Sequence, residues 1–259
     1  MKKTDYHRRR RAIALAILTV VIGVCLIAAG RNSSETSLKT SSNSTAQTSS
    51  KSSTAGTTNS DDQSQNSGNQ SQPLAVDDLA KLAVKPKSNQ STYQRDQFGS
   101  GWASWGKCDT RERILARDLT NLKYKSDGCT VLSGTLNDPY TGQTIDFARG
   151  ASTSSKVQID HVVALGDAWA TGAAAFSSTQ RKTLANDDLE LLAVDGSANE
   201  QKSDGDASEW LPTNQAFRCQ YVARQIAVKI KYALWITQSE HSAMAGVLKN
   251  CPGQRLPAP

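Results

Sequence analysis

Residues 12–29 form an uncharged, predominantly apolar run, and a basic cluster of Lys2, Lys3 and Arg8 to Arg11 stands directly before it. At 18 residues the run exceeds the ~7–15 residues of a signal-peptide core and falls just short of a ~20-residue spanning helix. A buried core helix would not carry those flanks. The basic cluster belongs on the cytoplasmic side, so everything after Gly30 is expected outside the membrane. Ala28-Ala29-Gly30 offers small residues for cleavage, but a retained single-pass anchor is favoured. Val24 is the wrong kind of residue to precede a lipidated Cys25. Residues 1–30 are therefore expected to be a signal peptide or a signal-anchor transmembrane helix, with membrane contact through residues 12–29 if they are not removed.

Residues 31–73 are dominated by Ser, Thr, Asn, Gln and Gly. Such a segment buries too little apolar surface to offset its ordering entropy, and it reads as a disordered linker that holds the C-terminal domain off a surface. Residues 74–259 remain to fold, enough for one buried core. The formal charge of +6 misleads. Residues 1–30 hold six Lys/Arg against Asp5, and 31–73 hold three of each sign, which leaves a net +1 for 74–259. The basic balance reports the N-terminal tail and gives no support for a nucleic-acid surface on the domain.

Cysteine usage agrees with export. Apart from Cys25 there are Cys108, Cys129, Cys219 and Cys251, and four cysteines in an exported domain suggest two disulfides. Sequence permits three pairings. Cys108–Cys129 with Cys219–Cys251 is favoured because each closes a local unit. No C-x-x-C spacing is present, so a structural zinc site is the weaker alternative.

Patterning predicts a mixed α+β domain. Residues 74–84 have helical spacing. Residues 109–120 put Ile114, Leu115 and Leu119 on one helical face, with Asp109 or Thr110 as N-cap. Residues 129–136 and 143–148 read as a hairpin around the turn cluster Asn137 to Gly142. Val157, Ile159 and Val162 mark a short strand, and Leu189–Val194 a second. Helices are expected over 165–175, 178–185 (capped by Ser177 or Ser178), from near Ser197, over 214–235 and over 238–249. Thr237 and Glu240 form a T-x-x-E capping box for the last helix. The tryptophans 102, 105, 169, 210 and 235 read as core residues rather than base-stacking platforms. That reading is weakest for Trp102 and Trp105, which stand in a Gly/Ser-rich stretch.

The chemistry concentrates between Gln158 and Pro212. Ile-Asp160-His161-Val-Val-Ala-Leu is followed by the apolar strand Leu189–Val194 and then by Asn199-Glu-Gln-Lys202-Ser-Asp204. An Asp-His pair alone is weak, and Asn-x-x-Lys alone is equally weak. His241, the other histidine of the domain, reads as a solvent-exposed residue in the first turn of the last helix. Together, the pieces IDHVVALGDAW, LLAVDGSANEQKSDGDASEWLP and FRCQYVARQIAVK resemble the HNH domain found at the C-terminus of GmrSD-type restriction enzymes and in many secreted actinobacterial proteins. The likeness runs from about Tyr93 to Cys251, and Asp160-His161 with Asn199-x-x-Lys202 also resembles the HNH domain of RNA-guided CRISPR nucleases.

That resemblance implies a ββα-metal (HNH, or His-Me finger) core with surrounding helices, stapled by disulfides. It implies an extracellular, metal-dependent endonuclease of a bacterium, secreted or membrane-anchored, cutting DNA or RNA as a monomer with little sequence preference. His161 is then the base that activates water. Asp160 and Asn199 hold a divalent ion, Mg²⁺ first, with Mn²⁺ or another divalent ion as alternatives. Adjacent strand residues point to opposite faces, so Asp160 and His161 are expected where the strand ends or bends. Lys202, one helical turn after Asn199, is a phosphate-binding candidate, with Arg111 and Arg224 behind it. Asp204 and Asp206 are read as capping or bracing their loop. One departure stands out: the family's strand asparagine, nine residues before Asn199, is Glu190 here. Its extra charge is expected to tighten metal binding or to raise the pKa of His161. The competing reading, which Glu190 and the near-neutral charge motivate, is a surface binding or adhesion module on a catalytically weakened nuclease scaffold.

Overall fold

The computed structural model describes residues 72–258. The expected signal or anchor segment and the linker up to residue 71 lie outside the described residues. No helix among the described residues is long and apolar enough to cross a membrane.

The domain is α+β, with short helices around three small antiparallel sheets. Helix α1 (Ala75–Leu79) is shorter than its apolar spacing suggests. Pro86 favours extended backbone before it, and the chain there pairs with the far end of the domain through a Val84–Ile236 bridge. Strands β1 (Ser104–Trp105) and β2 (Cys108–Asp109) make a two-residue ribbon. Helix α2 (Thr110–Asp118) comes next, and the Asp109 carboxylate caps it by accepting from Glu112 N–H at 2.9 Å.

Strands β3 (Thr120–Tyr124), β4 (Val131–Asn137) and β5 (Thr144–Ala148) form one sheet in sequence order. The β4–β5 hairpin lies where its turn cluster predicts. Asp138 closes the turn by accepting from Thr141 N–H, and Gly142 supplies the positive φ of +76°. Strand β3 is absent from the sequence pattern. It lies at the sheet edge with only Leu122 turned partly inward, so it carries no alternating apolar signal.

The third sheet is the hairpin of β6 (Val157–His161) and β7 (Leu191–Asp195), in register from Val157↔Asp195 to His161↔Leu191. It divides two cores. Val157, Ile159, Leu191 and Ala193 pack with α2 and the three-stranded sheet. Leu192 and Val194 pack into the larger helical core. Burial on both faces explains why β7 reads as a continuous apolar run rather than an alternating one. Helix α5 (Gly196–Lys202) leaves β7 directly, capped by Asp195, which accepts from Ala198 N–H at 2.8 Å. Glycine is required at 196, because a Cβ there would lie 2.0 Å from the Ser155 carbonyl oxygen.

Between the two strands lie α3 (Leu165–Ala170) and α4 (Ser178–Ala185), the latter closed by a capping box of Ser177 and Gln180. The single helix expected over 165–175 is split by Gly172, whose φ of +141° is incompatible with helix. Helices α6 (Arg218–Lys231) and α7 (Gln238–Leu248) complete the larger core. Thr237 accepts from Glu240 N–H. The Glu240 side chain turns to Lys229 instead of back to Thr237, so only half of the expected box forms. Cys108–Cys129 and Cys219–Cys251 are both disulfide-bonded. The favoured pairing is the one present, and the zinc alternative for these four cysteines is removed.

Candidate active site

Asp160 and His161 sit at the end of β6, where the sequence places them, on regular strand. His161 is still paired with Leu191, and Val162 N–H continues the ladder to the Glu190 carbonyl. The two side chains therefore turn to opposite faces of the hairpin.

His161 turns toward α4. Its Nε2 lies 3.0 Å from the Ala185 carbonyl oxygen. A carbonyl only accepts, so Nε2 carries the proton and Nδ1 keeps its lone pair. The Trp102 ring lies nearly parallel to the imidazole, with centroids 5.6 Å apart and planes inclined by 14°. Both rings wall a cavity of about 380 Å³ together with Arg95, Phe98, Gly101 and Ala185. Burial pushes the His161 pKa down to about 3, so the ring is neutral at physiological pH. Glu190 has no part in that shift, which runs opposite to the expected rise.

Asp160 turns toward α5 and the larger core. Lys202 Nζ donates to its Oδ1 at 3.0 Å and Tyr140 OH donates to its Oδ2 at 2.5 Å. Lys202 also donates to the His161 carbonyl at 2.8 Å. Lys202 and Asp160 are only 2% and 5% exposed. Burial pushes the Asp160 carboxyl above its usual range, against the pull of Lys202 and Tyr140. This is a buried brace that fixes the strand end carrying His161. As placed, the Lys202 ammonium is spent on Asp160 and a carbonyl, and it is not presented to a phosphate as the sequence suggests.

Asn199 lies one turn before Lys202 and donates to the Gln158 side chain at 2.9 Å. It thus pairs with the strand residue two before Asp160 and not with Asp160 itself. Glu190 is fully buried. Its Oε2 accepts from Val163 N–H at 3.3 Å, which holds the segment after His161, and its Oε1 has no partner. Burial pushes its carboxyl well above the usual range, which disfavours the extra charge expected beside a cation.

The other phosphate candidates are tied to backbone. Arg111 donates to the Val157 carbonyl at 3.1 Å, and Arg224 donates to the carbonyls of Asp188, Leu189 and Leu191. Neither lines the His161 cavity. Arg95 does, and sequence reasoning passes over it because it lies ahead of every motif. Asp206 does brace its loop, accepting from Ser208 N–H at 2.9 Å.

Asp160 and Asn199 do not fit a divalent ion as they stand, since both Asp160 oxygens are occupied, one of them by a cation. The three carboxylates close enough to share an ion among the described residues are Asp167, Asp206 and Glu240. Two ammoniums fill that cluster: Lys229 lies 2.8 Å from Asp167 and 2.7 Å from Glu240, and Lys87 lies 2.9 Å from Asp206.

A histidine with a fixed tautomer thus stands at a hairpin end against a cavity. The model of the family described as GmrSD restriction endonucleases, C-terminal domain, matches residues 109–247, and the chain belongs to that family. An uncharacterized secreted protein of Arthroderma benhamiae is 38% identical over 175 residues, which span 67% of this chain and 82% of that protein. No solved structure matches the chain.

Proposed function

We propose that residues 74–259 form an extracellular nuclease domain that hydrolyses phosphodiester bonds in DNA or RNA, with His161 as general base. The Ala185 hydrogen bond carries the reading, because it fixes Nε2 as donor and leaves Nδ1 free to take a proton from an attacking water. The hairpin β6–β7 followed by α5 supports a ββα core of the HNH kind, and the family supports nuclease chemistry. The secreted relative and the two disulfides support an extracellular location.

In this reading Arg95 sits in the cavity wall, where a guanidinium can hold a phosphate beside the base. Lys202, Asp160 and Tyr140 hold the His161 backbone, and Glu190 holds the segment after it. Asn199 keeps α5 against β6. HNH nucleases imply a divalent ion, Mg²⁺ first. The pairing of Asp160 with Lys202 does not offer that ion a ligand set, so no step is assigned to it. The same pairing favours a second reading, a surface binding module on a weakened nuclease scaffold.

The test is incubation of the purified full chain with plasmid DNA and with RNA, with chelator and with added Mg²⁺ or Mn²⁺. Strand cleavage under any of these conditions supports the nuclease. Absence of cleavage under all of them, from pH 6 to 9, supports the binding module.

A further inference from the structure

We infer that the cavity beside His161 takes one nucleotide of a single-stranded nucleic acid, with its base stacked on Trp102. This rests on the proposed nuclease reading and names the substrate class of that site. The cavity, about 380 Å³, lies at the small end of ligand pockets, which run ~300–1,000 Å³. That volume suits a single nucleotide.

Trp102 packs against the smaller core, as expected, and part of it also lines the cavity. It is half-buried, and its loop is fastened just after the ring. Ala103 N–H donates to the Asn186 side chain at 2.8 Å, and the Ala103 carbonyl accepts from Thr110 N–H at 2.9 Å. Three residues on, Trp105 is 55% exposed, and the Arg113 guanidinium covers one of its faces at 4.6 Å. The loop therefore carries one exposed ring, Trp105, and one half-buried ring, Trp102, which shares a cavity wall with Arg95 and His161. Both tryptophans precede the residues matched by the family model.

In a duplex the faces of the bases are covered by their neighbours, and only their edges are open in the grooves. An aromatic face beside the reacting phosphate has a partner only in an unstacked strand. Charge points the same way. Duplex binding leans on a basic surface that neutralises phosphates, and residues 74–259 carry a net charge of only +1. In the cavity, stacking on Trp102 beside the Arg95 guanidinium supplies affinity that the near-neutral domain surface does not.

The experiment uses the full chain with His161→Ala, which binds without cutting, and a 5′-labelled oligothymidylate or the matching oligothymidylate–oligoadenylate duplex as probe. Fluorescence anisotropy reads affinity. The single strand is expected to bind about tenfold or more tightly than the duplex. Trp102→Leu, which keeps apolar volume for the core, is expected to weaken single-strand binding about tenfold, and Trp102→Tyr to restore most of it. Equal or tighter duplex binding, or equal affinities for the Leu and Tyr variants, overturns the inference. The expected binding pattern in a wild-type chain that cleaves nothing upholds this inference and sinks the nuclease reading.

Discussion

The Nε2 nitrogen of His161 donates to the carbonyl oxygen of Ala185 across 3.0 Å, joining the end of β6 to the last residue of α4. That one bond decides which nitrogen is available for chemistry. In ¹⁵N spectra of the full chain at pH 7, His161 is expected as the Nε2–H tautomer. It should stay neutral down to pH 5, because burial lowers its pKa to about 3. The Nδ1–H tautomer, or titration near 6.5, would contradict the arrangement. By linkage, a folded pKa below the unfolded 6.5 means this group's contribution to stability is lost as pH falls from 6.5 toward 3.

Lys202 and Asp160 form a buried pair that the larger core cannot easily resolvate. Lys202→Met leaves the Asp160 carboxylate without its cation, and a cost of roughly 3–5 kcal/mol is expected in urea denaturation. Adding Asp160→Asn should recover part of that loss, because the stranded charge is gone. An unchanged midpoint for the single variant would show that the pair does not brace the strand end.

Three carboxylates, Asp167, Asp206 and Glu240, face two ammoniums, Lys87 and Lys229, which leaves one negative charge in excess. Burial and that excess push the Glu240 pKa up to about 7. A raised carboxyl contributes stability below its unfolded pKa near 4.5 and loses it as pH rises through about 7. Glu240→Gln balances the cluster. The stability of wild type relative to this variant should fall between pH 4.5 and 7 and then level off. A difference that does not change with pH would refute the assignment of the proton to Glu240.

Much of the frame is legible in the chain. The caps Asp109, Ser177 and Thr237, the turn from Asn137 to Gly142 and both disulfides arise from local chemistry that tertiary packing does not override. His161 is legible because it stands in an apolar strand-end motif. Its surroundings are not. Tyr140 lies in a turn cluster and Trp102 in a Gly/Ser-rich stretch, so neither carries a periodic signal, and Ala185 contributes only a carbonyl. Lys202 reads as a free cation because helical spacing gives its face but not its burial. Arg111 and Arg224 read as phosphate ligands because sequence does not show carbonyls waiting in a neighbouring strand end.

The central claim is that His161 is the base of a phosphodiesterase, and one comparison tests it most directly. Wild type and His161→Ala, both full chains with matched circular dichroism, are assayed for cleavage of single-stranded DNA under the metal condition that gives the highest wild-type rate. A loss of about 100-fold or more is expected, the range that a general base contributes. Cleavage by His161→Ala at the wild-type rate would contradict the account.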